Sequence, residues 1–324
     1  MPKPFISKNN PYDESELSGE RFSYMYLSPR YWLTWIFLGS SFLLAILPQY
    51  FRNLLGELIG KILYNLGRSK KTIVDINLKQ TFSKSSTIER DNLCKSFFNN
   101  LGHMYANLPL LWWKSDKTLQ KLIDKKGLAL VDSYLQKNQS IILLAPHTLA
   151  LDFGGRALSN YNLLSIYKPF KNGLINWFIG KSRSKDTDKV IIYPRDKSCM
   201  KNIIRKMRKP SVFYLLADED ISVEDSMFSH FFDTKKTALK SVSKLAKITQ
   251  SKVLPCICTY SIKSQRYSFE VFPELENFPS NHIESDCAKI NAILEEQISI
   301  DKSQYMWTLR IYKNRTDGND LYNI

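Results

Sequence analysis

Ile141-Ile142-Leu143-Leu144-Ala145 is an uninterrupted apolar run of strand length, and Pro146 stops it. Such a run suits a strand buried on both faces, as in a parallel sheet covered by helices on each side. The chain after residue 122 is consistent with that demand. Helical patterns are expected over 122–137, 173–181, 197–209, 235–249 and 286–300. Strands are expected over 140–145, 163–167, 190–193, 212–217, 253–260, 267–272 and 305–311. Strand and helix in turn predict an α/β layered fold with a largely parallel central sheet flanked by helices.

His147 follows the buried run at its end, and Asp152 lies five residues on. In open α/β sheets, sites sit outside the carboxyl ends of strands. On one regular helix these two positions would stand about 140° apart. They meet only if His147 lies in the turn and Asp152 in the first helical turn after it. A carboxylate there would fix the imidazole tautomer and leave the other ring nitrogen as a base. The spacing alone also fits a histidine at a strand end beside a solvated aspartate. Other expected strand ends carry polar groups too: Tyr167-Lys168-Pro169, with Lys171, Arg183 and Lys185 after it, and Asp218-Glu219-Asp220. Together these describe a cleft with a base, a cationic wall and an acidic corner. Glu219, Lys185 and Lys189, taken singly, read as solvated loop charges. His103, among apolar neighbours, reads as a packed or hydrogen-bonded core histidine.

Charge is unevenly placed. The 324 residues carry a formal net charge of +15, and residues 163–210 hold 13 Lys and Arg against three Asp, a net of +10. Such a field attracts phosphates, anionic lipid headgroups, acidic proteins or nucleic acid, and charge alone does not choose. No nucleic-acid recognition motif accompanies it. Cys94, Cys199, Cys256, Cys258 and Cys287 are odd in number and lack C-x-x-C or metal spacing, so they read as reduced thiols.

Residues 1–30 are polar and aperiodic and read as a flexible leader. No charge occurs from Tyr31 to Tyr50, and aromatic residues flank the run at both ends. Residues 31–50 are therefore expected to form a membrane helix at the short end of the spanning range, the alternative being a buried core helix. Basic residues after it place the remainder, 51–324, on the cytoplasmic side. Within 51–66, Leu54, Leu55, Leu58, Ile59, Ile62 and Leu66 fall at helical spacing. An amphipathic helix lying on the membrane or closing the main domain would look like this.

Several motifs in order resemble one family. Ser28-Pro29-Arg30-Tyr31-Trp32 and Ala145-Pro146-His147 through Asp152 come first, then Tyr167-Lys168-Pro169, Arg183, Arg195-Asp196 and Asp218-Glu219-Asp220. The series ends with Gln304-Tyr305-Met306-Trp307 and its Arg310, Lys313 and Arg315. Together they resemble the late (secondary) acyltransferases of lipid A biosynthesis, the lauroyl/myristoyl group of the lysophospholipid-acyltransferase-like superfamily, over nearly the whole chain from residue 28. Met227–Asp233 departs from the family's Pro- and Gly-containing loop, and Lys168 replaces an arginine; both departures bear on loop shape and selectivity. The resemblance implies transfer of a fatty acyl group from acyl carrier protein to a hydroxyl of a 3-hydroxyacyl chain on an anionic lipid A precursor. It implies His147, Asp152 and Arg183 as catalytic residues, with Tyr167, Lys168, Arg195, Asp218, Asp220 and Arg310 binding substrate. It calls for no metal or organic cofactor and no nucleic-acid partner. It implies single-pass residence in the bacterial inner membrane, with residues 51–324 as a cytoplasmic catalytic domain. A glycerophospholipid acyltransferase and a non-catalytic membrane lipid-binding protein are the other readings of the same residues.

Overall fold

The computed structural model describes residues 22–185, 187–196 and 198–323. Its strands are Ile123–Lys126 (β1), Ile141–Ala145 (β2), Leu163–Tyr167 (β3), Val190–Pro194 (β4), Val212–Leu216 (β5), Ser226–Phe231 (β6), Thr234–Leu239 (β7), Lys252–Ser261 (β8) and Arg266–Val271 (β9). Seven of them form one sheet in the order β1-β9-β8-β2-β5-β3-β4, and β6 and β7 make a separate antiparallel hairpin. All neighbours in the large sheet run parallel except β8 and β9. The apolar run is thus β2, at the centre of the sheet, and it is covered on both faces. Ile142 and Leu144 join one core cluster, while Ile141, Leu143 and Ala145 join the other, as the two-residue alternation of a strand requires.

The helices are Trp32–Ile46 (α1), Gln49–Leu66 (α2), Arg68–Thr81 (α3), Thr87–Trp113 (α4), Asp116–Gln120 (α5), Leu128–Gln136 (α6), Leu151–Ala157 (α7), Gly173–Arg183 (α8), Cys199–Lys206 (α9), Lys240–Thr249 (α10) and Ile283–Ile300 (α11). α4 opens with a full capping box between Ser86 and Glu89. All five cysteines are free and buried.

Four expected elements differ. The 122–137 helix is β1 followed by α6, because Gly127 turns the chain at φ +74°, where a Cβ would also strike the Val271 carbonyl at 2.1 Å. The first part of the 235–249 helix is β7, whose Lys236 is fully buried, so no polar face marked it as a strand. Residues 305–311 make one bridge, Thr148 to Tyr305, and no strand. There the Trp307 and Leu309 carbonyls accept from the buried Asn77 amide, at 2.6 and 2.7 Å, in place of a ladder. The 31–50 run breaks at Leu47-Pro48 into α1 and α2.

That break bears on the expected membrane helix. α1 has 15 residues, about 22 Å of helix at 1.5 Å per residue, against a hydrocarbon core of about 30 Å. Among the described residues no helix is long and apolar enough to cross a membrane. α1 buries Leu38, Ser41 and Ala45 and packs on α4, where Trp113 Nε1 donates to Ser41 Oγ at 2.8 Å. Of the expected flexible leader, residues 1–21 lie outside the described residues. Residues 22–31 are ordered, with Tyr26 and Tyr31 buried against Leu174 of α8.

Candidate active site

The site forms where β2, β5, β3 and β4 end side by side. Ala145 of β2 pairs with Leu216 of β5 in parallel register. Counting two residues on from each places His147 opposite Asp218. The contact follows: His147 Nδ1 lies 2.5 Å from Asp218 Oδ1, and the His147 backbone N–H donates to Asp218 Oδ2 at 2.9 Å. Asp218 is fully buried, and His147 retains 9% exposure.

This corrects the expected histidine–Asp152 contact. Asp152 stands in the first turn of α7, as its spacing requires, but its Oδ1 accepts from Arg183 Nη2 at 3.1 Å. The imidazole nitrogen it was expected to hold is engaged by Asp218. Asp218, expected to bind substrate, is enclosed and directs both oxygens at His147. Asp220 is also turned inward, where it accepts from Thr237 Oγ1 at 2.9 Å and from the Asn314 backbone and side-chain amides at 2.6 Å each. Arg310 is exposed and lies 5.7 Å from the Tyr322 ring centre, in the packing of the C-terminal segment.

Of the other expected residues, Arg195 connects to the histidine through Glu219, and Tyr167 connects to Arg195. Arg183, at the end of α8, places its guanidinium 5.8 Å from the Tyr167 ring centre. Lys168, next along, is exposed. Arg195 follows β4; its backbone N–H donates to the Tyr167 carbonyl at 2.8 Å, and its side chain pairs with Glu219 at 2.5 Å. Glu219, read from the sequence as a solvated charge, also brings Oε1 to 3.5 Å from His147 Nε2.

Burial opposes charging the His147 ring, but the charge and hydrogen bond of Asp218, with the charge of Glu219, overcome it and raise its pKa above 6.5. Burial likewise opposes ionising Asp218, yet His147 and the buried Lys236 bring its pKa down to about 2. An aspartate so held accepts from Nδ1–H and leaves Nε2 as the basic atom. Among the described residues no group of three or more His, Cys, Asp or Glu could hold a metal ion. His103 is packed beneath Gly56 with neither ring nitrogen hydrogen-bonded, and burial lowers its pKa.

The Gln304-Tyr305-Met306-Trp307 stretch, carried in the sequence only by resemblance, has a physical task. Met306 N–H donates to the His147 carbonyl at 2.8 Å, and Leu149 N–H donates to the Gln304 carbonyl at 2.8 Å. The Gln304 side chain in turn accepts from Tyr260 N–H at 2.6 Å and donates to its carbonyl at 2.9 Å. The C-terminal segment therefore clamps the loop that carries the histidine to β8.

The family model described as bacterial lipid A biosynthesis acyltransferase matches residues 20–314. A lipid A biosynthesis acyltransferase of Haemophilus influenzae is 28% identical over 304 residues, 93% of this chain and 94% of that protein. The lipid A biosynthesis palmitoleoyltransferase of Escherichia coli is 25% identical over 300 residues, 92% of this chain and 96% of that protein. The lauroyltransferase of the same organism is 25% identical over 300 residues, covering 92% and 97%. With a match over residues 20–314, the chain belongs to the bacterial lipid A biosynthesis acyltransferases.

Proposed function

We propose that the chain transfers a fatty acyl group from acyl carrier protein to the hydroxyl of a 3-hydroxyacyl chain on a lipid A precursor, with His147 as general base. The observation that carries this reading is the His147–Asp218 pair, in which Nδ1 is held and Nε2 is left with Glu219 at 3.5 Å. Nε2 takes the hydroxyl proton as the oxygen attacks the thioester carbonyl. The C–O bond forms, the C–S bond breaks, and the imidazolium returns the proton to the departing thiolate. Asp218 stabilises the imidazolium while it exists, a task first expected of Asp152. Arg183, oriented by Asp152, with Lys168 and Arg195, meets the acceptor's phosphate or carboxylate groups; arginine does so bidentately. The basic stretch 163–210 suits both an anionic glycolipid and an acidic carrier protein.

The chain acts at the cytoplasmic face of the bacterial inner membrane in this reading. Support comes from the apolar side chains that α1 and α2 leave exposed, among them Leu33, Ile36, Leu43, Leu54 and Leu58. Helices of this length and pattern seat in the interface plane, an alternative to the single crossing first expected.

The test is mass spectrometry of lipid A from a deletion strain carrying either the parent gene or His147→Ala. The parent should restore one acyl chain. Purified, folded His147→Ala should lose at least about 100-fold in transfer rate, the low end for acid–base catalysis. Lipid A unchanged by the deletion, or lysophosphatidic acid acylated in preference to the disaccharide, would overturn the reading.

A further inference from the structure

Two side chains of α7 reach the end of α8. Asp152 and Arg156 are four residues apart in this helix, so they are neighbours on one of its faces. Asp152 accepts from the Arg183 guanidinium at 3.1 Å. Arg156 holds the backbone on either side of Arg183. It is buried, with 5% exposure; its Nη2 donates to the Ser182 carbonyl at 2.5 Å, and its Nη1 donates to the Lys185 carbonyl at 3.1 Å. Nη1 also meets Asp116 Oδ1 at 3.3 Å, and that carboxylate offsets the buried charge. The frame behind is tied as well. Gln120 Nε2 donates to the Arg156 carbonyl at 2.7 Å and to Ser159 Oγ at 2.8 Å, and Ser159 Oγ donates to Asp116 Oδ1 at 3.1 Å.

We infer that Arg156 is a positioning residue for Arg183: it fixes the peptide that carries Arg183, while Asp152 fixes the guanidinium, so that Arg183 meets the acceptor's anionic group from one place. The inference rests on the reading of Arg183 as a contact for that group. The physical reason lies in the Ser182 carbonyl. It belongs to the peptide that joins Ser182 to Arg183, and a peptide is planar from Cα to Cα. A bond to its oxygen therefore fixes the plane that ends on the Arg183 Cα. The last carbonyls of an α-helix have no partner within the helix, and a cation there also meets the negative end of the helix dipole. Ser182 is itself buried. Without Arg156 its carbonyl would be a desolvated acceptor lacking this donor, and the last turn of α8 would loosen. Arg183 would then ride on a frayed end, tethered through its side chain by Asp152.

The experiment is a double-mutant cycle on the full chain in detergent micelles. Acyl transfer is measured on a lipid A precursor bearing its phosphates and on the same precursor dephosphorylated. Arg156→Lys keeps the charge and loses the planar fork, so it cannot bond the Ser182 and Lys185 carbonyls together. It should lower kcat/KM on the phosphorylated acceptor at least about threefold, chiefly through KM, and change the dephosphorylated acceptor by less than about twofold. In an Arg183→Ala background the same substitution should cost less than about twofold on either acceptor, because the residue it positions is gone. A merely structural arginine would give equal losses on both acceptors and in both backgrounds, and that result overturns the inference. Parent kinetics in a folded Arg156→Lys overturn it too. Should Arg156→Lys fail to fold, Asp116→Asn carries the cycle, since it loosens the guanidinium from one side and leaves it in place. Its loss, about twofold on the phosphorylated acceptor, should vanish in the Arg183→Ala background. Additive losses there overturn the inference equally. Failure of the acyl-transfer reading looks different: the parent chain itself would not acylate the precursor, whereas failure of this inference leaves the parent active and the losses additive.

Discussion

Replacing Asp218 by Asn keeps the shape beside His147 and removes the charge. The ring then loses the acceptor that fixes its tautomer, and its pKa falls. Asp218→Asn should cost at least about 100-fold in kcat, with the acid limb of kcat/KM, which should lie above pH 6.5 in the parent, moved down. Asp152→Asn should cost less, about tenfold or under, because it loosens Arg183 and leaves the ring held. Rates for both, on variants shown to be folded by circular dichroism, decide the matter. A larger loss at Asp152 would return the role of orienting the ring to that residue. The same pair also shapes stability. The folded pKa of Asp218, about 2, lies below the ordinary value near 3.9, so its contribution is present above about pH 4 and is lost as pH falls toward 2. His147 has the opposite sign: its raised pKa adds stability below about pH 6.5, lost as pH rises through the folded value.

Between elements, α2 packs closely on α4. A Cβ on Gly102 would lie 2.1 Å from the Gly56 carbonyl and 2.4 Å from the Gly60 nitrogen, so the two helices meet backbone to backbone. Gly102→Ala must push them apart and should cost at least about 1–3 kcal/mol, read as a lower thermal midpoint. Gly155 in α7 is the control. A Cβ there meets nothing within 4 Å, and Gly155→Ala should be neutral or stabilise by up to about 1 kcal/mol. Equal losses at both positions would mean that the glycines act through helix propensity and not through contact. Most elements of the sheet were legible from apolar run length, as β2, β3 and β5 show. Two exceptions lacked a local signal: on β7 the fully buried Lys236 hides the alternation, and the 305–311 segment is held by a distant partner, Asn77, that no local period records.

Across the whole molecule, the proposed function has charge and apolar surface divide the work of reaching the substrate. Leu33, Ile36 and Leu43 of α1 are 81%, 66% and 59% exposed, while Leu38 and Ala45 of the same helix are buried. Deleting residues 1–48 would therefore strip core from α4, and point changes are the cleaner probe. Leu33→Glu, Ile36→Glu and Leu43→Glu together should cut binding to anionic vesicles at least tenfold, since each removes an apolar side chain worth roughly 1.5–3 kcal/mol when buried. The fold and the rate on detergent-dispersed acceptor should be kept. Unchanged vesicle flotation of the triple variant would show that the basic surface alone holds the chain to the membrane.

Local sequence by itself determined the double-faced burial of Ile141–Ala145, the stop at Pro146, the placing of His147 at a strand end, and the family through its ordered motifs. These follow from run length, residue chemistry and spacing, which are properties of neighbours along the chain. Only the tertiary structure decided which carboxylate meets the histidine. Asp152 is five residues away and Asp218 is seventy-one, yet the parallel register of Ala145 with Leu216 brings the distant one alongside. Strand pairing is set by the packing of the whole sheet, so a short spacing such as H-x4-D fixes where a carboxylate can be and leaves to the fold which base it serves.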